Sequence, residues 1–321
     1  MGEFFHACRV FGDHLASVEW QYLAIALGLH FLKLVFRVVA WRAILMASYP
    51  GQRIRFRTIF GAYVVGVGIN SVAPARGGDV VKLYLVKHRI QGSTYATLTP
   101  TLLVETITDF VIATGLIIWA LAIGALPAAE VYSRLPSVDW GFLISHREWT
   151  AAVLLILIVA GVIAFFHFAA SGSDARRRVA LGFAILKRPR RFALGVVVPQ
   201  LVSWVCRIAS VYYFLLAFGV NATLHNAFLA QVVESLATLF PATPGGAGTK
   251  QGLIVFLFHG EGVSESLLLA FSVGMNIALV VFNLVLGAIA LFLMARTLSW
   301  KRLRVAHAEE ERLAKVREET P

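Results

Sequence analysis

Three charges fall within seven residues of one another in the run NSVAPARGGDVVK, residues 70–82: Arg76, Asp79 and Lys82. Asn70 and Pro74 precede them, and Gly77 and Gly78 separate the arginine from the aspartate. Further along, Glu105 and Asp109 stand four residues apart, which places both carboxylates on one face of one helix. Lys33 and Arg37 have the same spacing, and Arg207 and Glu234 are further charges inside apolar stretches. A second glycine-rich run, LFPATPGGAGTKQG at 239–252, adds Pro244, Gly245, Gly246 and Lys250. Guanidinium and ammonium groups set among carboxylates suit the binding of a phosphate-bearing anion, with the carboxylates balancing charge while the anion is absent. Nothing here has the form of a nucleophile with its base, and the histidines, His6, His30, His167 and His259 among them, lack ligand spacing. No HExxH, GxSxG or phosphate-cradling GxxxxGKS run occurs. Neither metal nor cofactor is expected.

The elements that must carry these charges are membrane helices. Of the 321 residues, 58% are hydrophobic and 15% charged, against roughly 45–50% and about 25% in soluble proteins. Mean hydropathy is +0.75, and several continuous apolar runs suffice to cross a bilayer of about 30 Å. Their continuity argues against a transmembrane β-barrel, whose strands alternate. The formal charge of +11 sits in loops beside the spans, which fits the positive-inside rule and excludes nucleic acid as the partner. Cys8 and Cys206 have no metal-like companions and carry no message about redox compartment. The start, MGEFFHACRV, lacks the basic opening of a signal peptide, so the first span is expected to stay in the protein.

Proline and the glycine pair break the helical ladder inside two apolar segments, residues 58–85 and 226–259. Freed backbone groups at membrane depth survive only in a protein interior or beside a watery cavity, so both segments are expected to be broken, re-entrant helices. Aligning Gly77-Gly78 with Gly245-Gly246 brings Lys82 onto Lys250 and Val64-Val65 onto Val232-Val233, the lettering of an internal repeat. Loop charges set the topology. Residues 50–57 and 171–191, rich in arginine, and the C-terminus are expected in the cytoplasm. Residues 127–149 and the N-terminus are expected outside. The two breaks then enter from opposite faces, the inverted-repeat plan of secondary carriers. The expected fold is an all-α polytopic bundle: an amphipathic segment at 1–19, a transmembrane domain at 20–296 and a charged cytoplasmic tail at 297–321.

As an ordered set, NSVAPARGGDVVK at 70–82, VETITD at 104–109 and FPATPGGAG at 240–248 resemble the flippase-like transmembrane domain of the lysylphosphatidylglycerol synthases and their stand-alone relatives. The resemblance covers about residues 20–296. It implies a role in moving a lipid across the cytoplasmic membrane, and stand-alone members also occur beside polyprenyl-lipid and glycolipid pathways. The chain departs from the family pattern at Lys82, where members usually carry Arg, at Thr106, often Arg, and near Lys250, often Glu. An extra first span and the soluble aminoacyl-transferase domain of the synthases are missing from this sequence, so lysyl transfer is not expected of it.

The resulting expectation is a lipid translocase, not an enzyme, with anionic membrane lipids as partners. A headgroup enters a polar cleft between the two breaks, where Arg76, Lys82, Arg37 and Arg207 contact phosphate and Glu105, Asp109, Asp79 and Glu234 balance them, one of these carrying a coupling proton. Arg76 is expected within contact or one water of Glu105, Asp109 or Glu234, and Gly77 and Gly246 at breaks too crowded for a Cβ. Each element has a plainer reading: Lys33 and Arg37 snorkelling to an interface, Glu105 and Asp109 satisfied by hydroxyls such as Thr106 and Thr108, and the whole chain serving a lipid- or glycan-modifying enzyme as a non-transporting accessory. A membrane-embedded transferase is a further alternative.

Overall fold

The computed structural model describes residues 17–73, 76–122, 173–239, 251, 252, 254, 255, 258 and 263–297, and the regular structure among them is helical throughout. Eight helices carry the description. They are α1 (Trp20–Ser48), α2 (Phe56–Asn70), α3 (Gly77–Lys87), α4 (Tyr95–Ala122), α5 (Ser173–Gly182), α6 (Pro189–Ala217), α7 (Leu224–Leu239) and α8 (Glu265–Thr297). Four of them, α1, α4, α6 and α8, include stretches long and apolar enough to cross a membrane, which makes the protein a polytopic helical membrane protein. With 29 residues, α1 is about 43 Å long, so Leu34 lies near its middle.

Helix ends follow the sequence punctuation. After α1 come Tyr49, Pro50 and Gly51, the glycine at φ +89°, where the proline denies a hydrogen-bond donor and the glycine accepts a left-handed turn. Gly92 and Gly219 do the same after α3 and α6. Inside α6 a π-turn covers Ala193–Val197, just ahead of Pro199, a local widening of the kind found where a helix must accommodate an irregularity.

At the first break two short helices meet, and the crowding falls on a different glycine from the one expected. Helices α2 and α3, of 15 and 11 residues, span about 22 and 16 Å, too short to cross singly, and they pack side by side as a hairpin. The expected crowding at Gly77 is not found. A Cβ on Gly77 would meet only the Ala73 side chain at 3.8 Å, whereas one on Gly78 would run into the Gly66 carbonyl oxygen. Gly78 is therefore the residue that lets the two backbones touch, because its Cα faces α2 while that of Gly77, one residue earlier, does not. Left-handed geometry falls instead on Arg76, at φ +57°, an uncommon conformation for a side-chain-bearing residue. Pro74 lies outside the described residues, as do residues 240–250 with Pro244, Gly245, Gly246 and Lys250.

Packing divides the interior into two apolar cores. One gathers Leu34, Val38, Trp41, Ile44 and Leu45 of α1 with Ile59, Tyr63 and Val64 of α2 and Leu98 and Val104 of α4. The other gathers Phe214 and Leu215 of α6, Leu229 of α7 and Phe271 of α8, with Ile254 and Phe258 from ahead of α8, around Ala26 of α1. Helix α1 runs through both, held at its start by Glu19 N–H donating to Ala217 O at 2.9 Å. Against α2, α8 packs through glycines: a Cβ on Gly68 would lie 2.8 Å from Asn283 O, and one on Gly287 3.2 Å from Val64 O. Small residues at such crossings replace the missing hydrophobic drive between helices in lipid with close van der Waals contact.

Candidate functional site

Between the two cores, on the stretch of α1 from His30 to Arg37, polar groups replace apolar ones. A buried carboxylate there must be paired and hydrogen-bonded or it neutralises, and Glu105, 2% exposed, is paired on both oxygens. Arg37 Nη2 reaches Glu105 Oε1 at 3.0 Å, and the Tyr63 hydroxyl donates to the same oxygen at 2.8 Å. Lys82 Nζ lies 3.6 Å from Oε2. The other terminal nitrogen of Arg37 bonds Asp109 Oδ2 at 2.9 Å, and its Nε donates to Tyr63 at 2.7 Å. One guanidinium thus bridges two carboxylates a helical turn apart, the planar fork doing what an ammonium could not.

Lys82 is itself 5% exposed. Its ammonium sits over the rings of Tyr63 and Trp41, at 4.3 and 4.9 Å from their centroids, so aromatic faces take the place of part of its lost hydration. Toward the surface it lies 3.5 Å from Asp79 Oδ1, and Asp79 Oδ2 pairs with Arg76 Nε at 3.1 Å. Asn70 ties the break together: its Oδ1 accepts from Gly78 N–H at 2.7 Å, and its Nδ2 donates to Asp79 at 3.3 Å.

Read outward to inward, the charges alternate along a single connected path: Arg76, Asp79, Lys82, Glu105, Arg37, Asp109. The arginine at its mouth is 67% exposed and the lysine and glutamate at its centre are nearly sealed. Beyond Asp109 the path continues into α6, where Trp204 Nε1 donates to Asp109 Oδ1 at 2.9 Å and its ring carries Arg207 at 4.7 Å. Gln200 locks α6 to α4 by donating to the Glu105 carbonyl at 3.1 Å.

The structure therefore assembles Arg37, Asp79, Lys82, Glu105 and Asp109 directly, with Asn70 and Gly78 shaping the approach. Arg207 and Glu234 stand on the far side of Asp109, within electrostatic range of each other. Arg76 is elsewhere than expected. It is exposed and pairs with Asp79, and two further bridges through Lys82 separate it from Glu105; the left-handed backbone at Arg76 turns it outward, so the buried contact falls to Lys82, about a turn and a half into α3. Unlike the hydroxyl scheme for the carboxylates, Thr108 spends its Oγ1 on the Val104 carbonyl at 2.7 Å. Sequence reasoning missed Tyr63, Trp204, Trp41 and Gln200. Trp41 had a signal, lying four residues beyond Arg37 on the face of Lys33 and Arg37; the others are ordinary members of apolar helices until a charge is laid against them.

Comparison with known proteins agrees with the three motifs. The family described as the lysylphosphatidylglycerol synthase TM region matches residues 8–287. The chain belongs to this family. Its similar relatives include two UPF0104 membrane proteins of Methanothermobacter thermautotrophicus. One is 22% identical, with 87% of this chain and 86% of the relative covered; the other is 24% identical, with 79% and 80% covered. A UPF0104 membrane protein of Methanocaldococcus jannaschii is 23% identical over 72% of this chain and 95% of its own length. In this member of the synthase TM family, two of the motifs that mark the resemblance, at 70–82 and 104–109, supply both ends of the Lys82–Glu105 contact.

Proposed function

We propose that this chain is a lipid translocase of the cytoplasmic membrane, acting on lipids with an anionic, phosphate-bearing headgroup, among which phospholipids and polyprenyl or glycolipid types share the needed chemistry. The observation that carries the reading is the alternating charge path from exposed Arg76 through buried Lys82 and Glu105 to half-buried Arg37. Each cation along it can exchange a carboxylate for a phosphate oxygen, so an anion passes from Arg76 to Lys82 to Arg37 with every cation paired throughout, while acyl chains stay in the bilayer. Support comes also from the inner end. Among the described residues neither Arg207 nor Lys33 has a carboxylate within 4 Å, and two half-buried cations so placed favour a visiting anion. In this reading the α2–α3 hairpin enters from the cytoplasmic side beside the arginines of residues 50–57. The chain carries no chemistry on the lipid; it moves it.

The test is reconstitution. Native mass spectrometry of the purified protein identifies the lipid class that stays bound, and a fluorescent analogue of that class in proteoliposomes is exposed to dithionite, which bleaches the outer leaflet alone. Translocation raises the bleached fraction above that of empty vesicles, and Arg207→Gln and Lys82→Met lower the rate. Bleaching no faster than in empty vesicles, with and without a proton gradient, would defeat the translocase reading. An accessory role has its own support, since Arg37, Glu105 and Asp109 satisfy one another as a packed structural core would; crosslinking that captures a lipid-modifying enzyme alongside inactive vesicles would favour it.

A further inference from the structure

One turn beyond Arg37 toward the start of α1, two bases face each other. Lys33 Nζ is 3.1 Å from His30 Nδ1, and His30 Nε2 is 3.0 Å from Asn283 Oδ1 on α8. The amide is oriented from its other end, where Asn283 Nδ2 donates to Ser71 Oγ at 3.2 Å, beside the α2–α3 break. An amide oxygen only accepts, so His30 donates from Nε2. Its Nδ1 then holds a lone pair, and the bond to Lys33 runs from ammonium to imidazole. The edge of Phe282 closes the site at 5.8 Å, and His30 is 6% exposed.

The charged groups that face this pair come from every neighbouring element: Arg37 on α1, Asp109 on α4, Arg207 on α6 and Glu234 on α7. A second proton on His30 while Lys33 is charged would set two cations 3.1 Å apart, which like-charge repulsion opposes. Two bases this close titrate as one unit.

We propose that His30 and Lys33 form a proton-binding site, which holds one positive charge in the ligand-free protein and takes up a second proton when an anion settles between Lys33 and Arg207. The second half rests on the headgroup reading above. When the anion arrives, the Lys33 ammonium turns to it, the Lys33–Nδ1 bond breaks, and Nδ1 takes a proton from water to form a new N–H bond. Anion and proton then travel together, and the charge of the cluster is the same with and without cargo. Neither side chain belongs to the motifs that mark the family resemblance, and Asn283 couples the pair to Ser71 at the hinge of the hairpin.

Nitrogen-15 magnetic-resonance spectra of the protein in phosphatidylcholine nanodiscs at pH 7 test both halves. Without other lipid, His30 should show a protonated Nε2 and a bare Nδ1, and the Nδ1 signal should move in Lys33→Met, which lacks the donor. Saturating dihexanoyl phosphatidylglycerol should bring a second ring N–H, with uptake of about one proton per lipid bound measured by indicator dye; His30→Gln should abolish the uptake while binding persists. An imidazolium already present without the lipid, an Nδ1 signal indifferent to Lys33→Met, or phosphatidylglycerol that binds without a second N–H would each overturn the proposal. Should phosphatidylglycerol fail to bind the wild-type protein, the headgroup reading is what falls, and the ligand-free spectra decide the single shared charge by themselves.

Discussion

Two adjacent glycines should respond oppositely to the same substitution. At Gly78 an added methyl overlaps the Gly66 carbonyl oxygen and comes within 2.8–2.9 Å of the Asn70 side chain. Neither neighbour can step aside, because one is helix backbone and the other is already bonded to Gly78 N–H and Asp79. Overpacking of this kind costs about 1–3 kcal/mol, and separating α2 from α3 would also lengthen the Lys82–Glu105 contact. At Gly77 the nearest atom is 3.8 Å away, the residue is the first of α3, and alanine there gains about 0.5–1 kcal/mol of helix propensity. Gly78→Ala and Gly77→Ala should therefore differ by about 1.5–4 kcal/mol, the first below wild type and the second at or above it. Thermal unfolding of detergent-solubilised protein, followed by size-exclusion fluorescence, reads the order directly. Equal melting of the two variants, or Gly77→Ala the weaker, would refute the backbone-contact argument.

Removing Arg37 breaks its ion pairs with both Glu105 and Asp109, so Arg37→Ala should destabilise by about 3–5 kcal/mol; a stability within a few tenths of wild type would show the path to be hydrated and loose. Tyr49, at the end of α1, is 8% exposed, and burial raises the pKa of its phenol. Its contribution is complete below the ordinary phenol value of about 10 and is lost as pH rises through the elevated folded-state value. Tyr49→Phe should accordingly flatten the alkaline arm of the stability profile above about pH 10, and an unchanged arm would discount the burial argument. Single cysteines at positions 53 and 188 should be shielded from an impermeant maleimide in intact cells and one at 139 labelled; labelling of 139 only after permeabilisation would invert the topology.

Membrane character and helical class were legible at once, because lipid leaves a chain only helices or closed barrels to satisfy its backbone, and apolar runs that are continuous rather than alternating select the helix. The charges of the site were legible too. An ionisable residue inside an apolar run is costly enough to mark itself, and Arg37, Lys82, Glu105 and Asp109 were found that way, as was the first break through Pro74 and Gly78. Which cation meets which carboxylate was not legible. Arg76 and Lys82 lie six residues apart in one motif, yet one is exposed and the other sealed against Glu105, a choice made by the left-handed turn at Arg76 and by the way α3 docks on α2 through Gly66 and Gly78. Tyr63, Trp204 and Asn283 remained invisible for a related reason. In sequence they are apolar-helix residues or a lone amide, and only the meeting of several helices brings their few polar atoms to the charges and to His30. Local energetics decides that a buried charge needs a partner; the partner comes from an element far along the chain, and helix packing alone decides which.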